Sequence, residues 1–292
     1  MAVMSWTAEL TRNCKWRLGE GYFGEVFVAV ETKSGKCFAI KKVVNAEHNT
    51  ARQEIAVLKR VNHPNIIKYH GYHIERGVFC LVLEYADMGT LRDKIRYPWG
   101  SSGPWGPWSE VDVWRFIENI AGALNFLHSM RPPILHRDLK PDNILGVGQR
   151  GGGFFWKLAD FGLATLLSEN AQGAYYTSQV AGTPTYMAPE VWSDYKSYSF
   201  GADLWSLGCV LVFRCNNGRH LFFEGEEVVR WRGIGKHTVA PSHHTTSSSY
   251  STGLVHLVSK LLNPDPKLRL SADEVLAECT LERMSPPRRK TT

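Results

Sequence analysis

The sequence contains no long hydrophobic run, no internal repeat and no closely paired cysteines. None of its apolar stretches approaches the ~18 residues of a membrane-spanning helix, so we expect no membrane span. The six cysteines are scattered and form no C-x-x-C motif, which argues against a zinc site and against a disulfide framework. We therefore expect reduced thiols and an intracellular protein, with the cytoplasm as the first expectation and the nucleus as the alternative.

The sequence also lacks a strong excess of either positive or negative charge. The 34 basic and 28 acidic residues give a net charge of +6, which is small for a chain of 292 residues. A nucleic-acid-binding role would rest on this excess alone, so we expect no nucleic-acid partner; salt-insensitive or absent binding would remove that alternative. With 43% hydrophobic and 21% charged residues, the composition is that of a globular protein with one large or two small domains.

Most of the chemistry in the sequence lies in one run, residues 134–145, which reads ILHRDLKPDNIL. Asp138 can accept a proton from a hydroxyl group. Lys140, two residues on, is a cation placed to meet a phosphate, and Asn143 offers a neutral oxygen suited to a hard metal ion. A base, a cation and a metal ligand in so short a segment suit phosphoryl transfer, because that reaction depends mostly on positioning and charge stabilisation.

The same run fits the catalytic-loop pattern H-R-D-L-x-x-x-N, and the sequence therefore resembles a eukaryotic protein kinase domain of the serine/threonine type. The resemblance implies an α+β, two-lobed fold, with a small antiparallel-sheet N-lobe that carries one main helix and a larger, mostly helical C-lobe. It divides the chain into an N-terminal extension, 1–15; a kinase domain, 16–280, with N-lobe 16–83, hinge 84–90 and C-lobe 91–280; and a basic C-terminal tail, 281–292.

A glycine-rich stretch near the N-terminus, Leu18 to Val26, reads as strand, tight turn and strand. Its G-x-G-x-x-G pattern is shared with dinucleotide-binding folds, in which it opens a helix. Here β-branched and aromatic residues continue the strand instead, which favours the kinase glycine-rich loop. By resemblance, Gly19, Gly21 and Gly24 would let the backbone lie close to the phosphates of ATP.

The next strand-like run, residues 37–44, carries the A-I-K of the kinase V-A-I-K motif. By resemblance, Lys41 would hold the α and β phosphates, and Glu54 in a predicted helix from Thr50 to Val61 would pair with it. Side chains alternate along a strand, so only one of Lys41 and Lys42 can point inward, and we predict that Lys41 does. Glu54 follows Lys41 more closely than is usual for the family, which predicts a helix that is short at its N-terminal end.

The strands that follow, predicted at 66–72 and 77–84, lead into a segment that resembles the kinase hinge. By resemblance, Leu83 would be the gatekeeper side chain, and the backbone groups of Glu84 and Ala86 would pair with adenine. The full set of residues expected to bind the nucleotide is Leu18, Gly19, Gly21, Gly24, Val26, Ala39, Lys41, Leu83, Glu84, Ala86, Leu145 and Asp160.

Asp160 opens a D-F-G motif, and residues 181–190 close the same segment with A-P-E. By resemblance, Asp160 and Asn143 would hold magnesium ions that bridge the phosphates of ATP. Glu190 would pair with Arg269, which lies near the C-terminus. Asp203, in the apolar helical run after the A-P-E motif, would accept hydrogen bonds from the catalytic-loop backbone, because a buried aspartate needs such partners.

The substrate class follows from two short stretches. K-P-D-N at 140–143 resembles serine/threonine kinases, since tyrosine kinases usually carry Ala or Arg there, and G-T-P-T-Y at 182–186 agrees with it. The resemblance implies ATP and Mg²⁺ as cofactors and a protein with serine or threonine as substrate. The alternative is a pseudokinase scaffold, which only the short helix before Glu54 favours. The expected catalytic residues are Asp138, Lys140, Asn143, Lys41, Glu54 and Thr183, the last bridging Asp138 and Lys140.

A tryptophan-rich stretch, residues 98–108, reads PWGSSGPWGPW. Glycine, proline and serine predict a loop, whereas the three tryptophans predict that the loop buries something. The preferred interpretation is that the rings pack against their own lobe. The other is that the loop forms a docking surface for a partner protein.

Overall fold

A computed structural model describes residues 9–10, 14–21, 24–43, 48–96, 108–149, 151–167, 181–192, 198–215 and 250–284. Within these residues, a five-stranded antiparallel sheet precedes a mostly helical region, so the predicted two-lobed α+β architecture is confirmed. Of the helices in these ranges, none combines the length and the apolar character that crossing a bilayer demands.

The N-lobe sheet has the strand order β1-β2-β3-β5-β4, with every neighbouring pair antiparallel. Gly24 opens the second strand at a φ of +142°, and a Cβ atom there would lie 1.8 Å from the carbonyl oxygen of Lys42. Only glycine therefore fits where the glycine-rich turn returns into the sheet. The strands are β1, Cys14–Gly21; β2, Gly24–Val30; β3, Cys37–Val43; β4, Tyr69–Glu75; and β5, Val78–Glu84.

The helix α1, His48–Leu58, follows the first three strands of this sheet. Its buried face includes Ala51, Ile55 and Leu58, which recur at the three- and four-residue steps of an amphipathic helix. The helix ends three residues before the predicted Val61, and its first turn carries no acidic side chain to stabilise the N-terminus.

The strand predicted at 66–72 begins later than expected, because β4 starts at Tyr69. The residues before it pair with the C-lobe instead. Ile66 forms a parallel bridge to Leu158, and the backbone N–H of Ile67 donates to the Leu158 carbonyl at 2.9 Å. This short apolar run therefore joins the two lobes, which explains why it is buried although it lies outside the sheet.

The C-lobe is built around two long helices, α3 at Glu110–His128 and α5 at Phe200–Cys215. Ser109 caps the first of them in a reciprocal capping box with Asp112, and the apolar stripe of α3 is fully buried. Nearly every residue of α5 is buried, as expected of a helix at the centre of a lobe. The C-lobe helices are α2, Leu91–Arg96; α3, Glu110–His128; α4, Pro189–Trp192; α5, Phe200–Cys215; α6, Thr252–Leu261; and α7, Ala272–Met284.

Two small two-stranded sheets bring the catalytic loop and the D-F-G segment together. The first sheet pairs the strand that precedes the catalytic loop with the strand that follows D-F-G, and the second pairs the strand after the loop with the strand before D-F-G. Both loops are thus held at both ends, side by side. These strands are β6, Ile134–Leu135; β7, Ile144–Gly148; β8, Phe154–Leu158; and β9, Thr165–Leu166.

Trp108 is the one residue of the tryptophan-rich stretch that lies within the described part of the chain. Its ring lies 5.5 Å from that of Phe116 and 5.3 Å from that of Trp156, centroid to centroid, and the Arg214 guanidinium lies 4.3 Å above it. Trp108 therefore packs against its own lobe. Residues 98–107 lie outside the described residues, so the docking interpretation of the stretch stays a hypothesis.

Candidate active site

The backbone of the catalytic loop is held by Asp203, a fully buried residue of α5. Its carboxylate accepts hydrogen bonds from the backbone N–H groups of His136 (3.0 Å) and Arg137 (2.9 Å), and it lies 3.0 Å from Nε2 of His128. Burial alone would raise the pKa of Asp203, but these hydrogen bonds and the nearby histidines hold that pKa below its usual value. The loop backbone is therefore anchored to the central helix by a charged acceptor.

We expect Asp203→Ala to lower the free energy of unfolding by roughly 3–5 kcal/mol, because it leaves two backbone N–H groups and His128 without their acceptor. Denaturant unfolding monitored by tryptophan fluorescence would measure the loss. Asp273→Ala, at an exposed position in the first turn of α7, is the matched control and should cost less than ~1 kcal/mol. Equal losses in the two variants would contradict the anchoring role.

Asp138 lies at the centre of a compact hydrogen-bonded group. Its Oδ1 accepts from the Thr183 hydroxyl at 2.7 Å, and its Oδ2 accepts from Lys140 Nζ at 2.7 Å and from Asn143 Nδ2 at 2.9 Å. Lys140 Nζ also donates to the Thr183 hydroxyl at 2.9 Å, so Thr183 does bridge Asp138 and Lys140. These contacts fix the direction of a carboxylate that can accept a proton and place a cation beside it.

On the N-lobe side, Lys41 points inward, and only 8% of its side chain is exposed. Its Nζ lies 2.7 Å from Glu54 Oε1 and 2.7 Å from Asp160 Oδ1. Burial would lower the pKa of Lys41, but the attraction of the two carboxylates outweighs burial and raises that pKa above its usual value. Lys42 points to the opposite face, 3.7 Å from Glu75.

Asp160 links the N-lobe cation Lys41 to the D-F-G segment. It has a φ of +60°, and its Oδ1 accepts from Lys41 and from the backbone N–H of Gly162 at 3.2 Å. Burial would raise the pKa of Asp160, but Lys41 and the Gly162 N–H lower that pKa below its usual value. Asp160 is therefore an anion with its second oxygen outside these hydrogen bonds.

Asn143 and Asp160 fit a magnesium ion by the chemistry of their oxygens. The Asn143 amide donates its Nδ2 hydrogens to the Asp138 carbonyl (2.8 Å) and carboxylate (2.9 Å), which leaves its oxygen as a neutral acceptor. Within the described ranges, no group of three or more His, Cys, Asp and Glu residues gathers as a metal cluster. Two oxygen ligands suit Mg²⁺, which is usually held by one or two protein ligands together with substrate phosphates and water.

The residues expected around the nucleotide lie on the N-lobe sheet and at its edge. Val26 pairs with Gly19 on one side and with Lys41 on the other, and Ala39 pairs with Leu83. Gly21 pairs with Gly24 and closes the glycine-rich turn, with Leu18 at an irregularity in β1. Leu145, in β7, forms an isolated bridge to Thr90, the last residue of the expected hinge.

The hinge contains contacts that sequence analysis did not predict. The Glu84 carboxylate accepts from Lys157 Nζ at 2.8 Å and from the backbone N–H of Lys68 at 3.0 Å. The backbone N–H of Ala86 bonds to no residue of the described part of the chain. The Glu84 side chain thus fixes the start of the hinge. The backbone N–H of Ala86 lies in the hinge, where the resemblance expects adenine to bind.

Two further ion pairs support the loops. Arg269 Nη1 and Nη2 lie 2.7 and 3.0 Å from the Glu190 carboxylate oxygens, a bidentate pair that holds the A-P-E end of the segment. Arg92 Nε donates to Asp142 in the catalytic loop at 2.7 Å. Sequence analysis did not identify Arg92, because no motif relates α2 to the loop.

Comparison with known proteins gives one consistent answer. Residues 13–279 match the family model of the protein kinase domain. The chain is 33% identical over 265 residues to a probable serine/threonine-protein kinase nek3 of Dictyostelium discoideum, covering 89% of this chain and 22% of that protein. It is 31% identical over 269 residues to CBL-interacting protein kinase 9 of rice, covering 89% of this chain and 54% of that protein.

A mouse relative extends the comparison to animals. Serine/threonine-protein kinase Nek3 of Mus musculus is 30% identical over 271 residues, with 92% of this chain and 49% of that protein covered. The chain thus spans between about a fifth and about half of the length of these relatives.

Proposed function

The chain belongs to the protein kinase family, and from this membership we propose that it transfers the γ-phosphoryl group of ATP to serine or threonine hydroxyls of proteins. The observation that carries the proposal is the assembled site. It contains both the ion pairs of Lys41 with Glu54 and Asp160 and the hydrogen-bonded group around Asp138. Phosphoryl transfer in this family requires both the lysine–glutamate pair and the D-F-G aspartate to be in place. A pseudokinase would be expected to lack part of this set.

In the proposed reaction, Asp138 orients the substrate hydroxyl and accepts its proton. The hydrogen bonds from Thr183, Lys140 and Asn143 hold the Asp138 carboxylate in one direction, so little reorganisation is needed when the substrate binds. Lys140 neutralises charge that develops on the transferred γ-phosphoryl group, since its Nζ lies beside the same carboxylate.

Lys41 and the glycine-rich turn would hold the phosphates of ATP. Glu54 keeps the Lys41 ammonium group directed into the site, and Gly19, Gly21 and Gly24 allow close approach of the backbone. The proposed adenine contacts are the carbonyl of Glu84 and the N–H of Ala86, against the side chains of Leu18, Val26, Ala39, Leu83 and Leu145. Asn143 and Asp160 would hold Mg²⁺, which when bound neutralises phosphate charge.

Three further properties are proposed for the chain: its domain boundaries, its location and a docking site. The proposed boundaries are an extension at 1–15, the kinase domain at 16–280 and a basic tail at 281–292. The scattered cysteines, which form no C-x-x-C motif, support an intracellular location in the cytoplasm. The tryptophan-rich stretch 98–108 is proposed as a site that could dock a protein substrate, an idea that deletion of 98–107 with an unrelated-substrate control would test.

The purified full chain with Mg²⁺ and ATP should phosphorylate serine or threonine peptides on a peptide array and should leave alanine-substituted copies unlabelled. Chelation of Mg²⁺ should abolish the labelling, and excess Mg²⁺ should restore it, because the phosphate charge then regains its counterion. A thermal shift with Mg²⁺ and ATP measured in parallel separates binding from turnover. Binding without labelling would favour the pseudokinase, and labelling confined to tyrosine would contradict the proposed substrate class.

A further inference from the structure

The short turn after D-F-G is held at two consecutive carbonyl groups. Arg137 Nε donates to the Leu163 carbonyl at 2.7 Å, and Gln53 Nε2 donates to the Ala164 carbonyl at 3.3 Å. The turn is closed internally by a hydrogen bond from the Ala164 N–H to the Phe161 carbonyl at 3.0 Å. The catalytic loop therefore binds the turn from one side and α1 binds it from the other.

Helix α1 is connected to both ends of this turn through adjacent residues, directly at one end and through Lys41 at the other. At the start of the turn, Glu54 pairs with Lys41 at 2.7 Å, and Lys41 in turn contacts Asp160, the residue before Phe161, at 2.7 Å. Gln53, the residue before Glu54, reaches Ala164 at the end of the turn. A displacement of α1 would therefore disturb the end of the turn directly through Gln53 and its start through Lys41.

The turn needs this support because Asp160 precedes it in a strained conformation. A φ of +60° lies in the left-handed region, which a residue other than glycine adopts only when its surroundings hold it there. Phe161 is buried against His136, with ring centroids 5.1 Å apart. The direction of the Asp160 carboxylate thus depends on how well residues 161–164 are fixed.

We infer that Gln53 is a positioning residue for phosphoryl transfer, which acts by holding the Ala164 carbonyl so that Asp160 keeps its orientation. The inference rests on the proposed kinase activity for its catalytic consequence, but the hydrogen bond itself is independent of that activity. Gln53 lies on an exposed part of α1, so the competing explanation is a surface hydrogen bond without consequence.

Two substitutions at one position separate these explanations. Gln53→Glu keeps the shape of the side chain but removes the donor and places a negative charge near a carbonyl oxygen, whereas Gln53→Lys keeps a donor. The matched control is Arg52→Gln, which makes the same one-unit change in charge at the neighbouring exposed position. The variants are compared by kcat, by the Mg²⁺ concentration at half-maximal rate, and by Tm.

We expect Gln53→Glu to lower kcat about fivefold to tenfold and to raise the Mg²⁺ requirement, with Tm essentially unchanged. Gln53→Lys and Arg52→Gln should stay within about twofold of the unmodified chain. Wild-type kinetics in Gln53→Glu, or an equal loss in Gln53→Lys, would overturn the inference. A loss that tracks a fall in Tm would also overturn it, because it would show a merely structural role.

Hydrogen exchange keeps this test separate from that of the proposed function. Amides of residues 161–166 should exchange faster in Gln53→Glu than in Arg52→Gln or the unmodified chain, because the turn loses one of its ties. If the unmodified chain shows no turnover, the proposed function fails while this measurement still decides the role of Gln53. Unchanged exchange in Gln53→Glu would overturn the role whether or not the chain is active.

Discussion

Asp138→Asn is expected to lower kcat by at least about a hundredfold while the fold and ATP binding persist. Asparagine cannot accept the proton of the substrate hydroxyl. Its single side-chain oxygen can still accept one of the two hydrogen bonds, from Thr183 or from Lys140, so part of the support of the side chain remains. Steady-state turnover with the best serine or threonine peptide measures the loss, and the thermal shift with Mg²⁺ and ATP measures the retained binding.

Asp273→Asn is the control for this prediction, since it makes the same chemical change at an exposed position on α7, away from the site. It should leave kcat and the thermal shift as they are. If Asp138→Asn turned over within about tenfold of the unmodified chain, a barrier change of only ~1.4 kcal/mol, Asp138 would not be the residue that accepts the proton.

Much of the architecture could be predicted from the sequence, because local patterns and chain topology agreed. The apolar stripe of α3 and the serine before it are local features of the sequence, and each of them indicates a helix. The family resemblance predicted the two lobes, and the strands on either side of each loop then follow from pairing. The ordered motifs therefore place Asp138, Asn143 and Asp160 near one another before any coordinates are considered.

What the sequence could not predict are contacts between side chains that are far apart in the chain. The pairs Glu84–Lys157 and Arg92–Asp142 join residues with no shared motif, and alternation or helical periodicity says nothing about them. The late start of β4 has a similar cause. Ile66 is apolar and strand-like, but its partner is Leu158 in the other lobe, so a tertiary contact outweighed local strand propensity.

Whether Lys41 and Glu54 actually form their ion pair also could not be predicted from the sequence. The short segment between Lys41 and Glu54 raised the question of whether α1 could reach the sheet, and only the three-dimensional arrangement brings the two charges to 2.7 Å. Because Lys41 contacts Glu54 and Asp160 together, one cation joins α1 to the D-F-G segment. Lys41 is therefore the residue whose substitution tests most directly the proposed binding of the ATP phosphates by the N-lobe.

Lys41→Met is expected to lower kcat/KM by at least about a hundredfold, whereas Lys42→Met should stay within about threefold of the unmodified chain. The two lysines are neighbours in β3 but lie on opposite faces of the sheet. Methionine preserves the apolar length of lysine but cannot bind the phosphates or neutralise the two carboxylates. Peptide phosphorylation at varied ATP concentrations measures both variants.

Loss of the Lys41 cation also leaves Glu54 buried without its partner, which could weaken the N-lobe and imitate a catalytic loss. Lys41→Arg separates the two effects, because it keeps a positive charge beside Glu54 while misplacing the donors toward the phosphates. We therefore expect Lys41→Arg to unfold like the unmodified chain and yet to lose most of its activity. If Lys42→Met abolished activity and Lys41→Met did not, Lys42 and not Lys41 would be the lysine that points into the site, and the proposed phosphate contact would have to be reassigned.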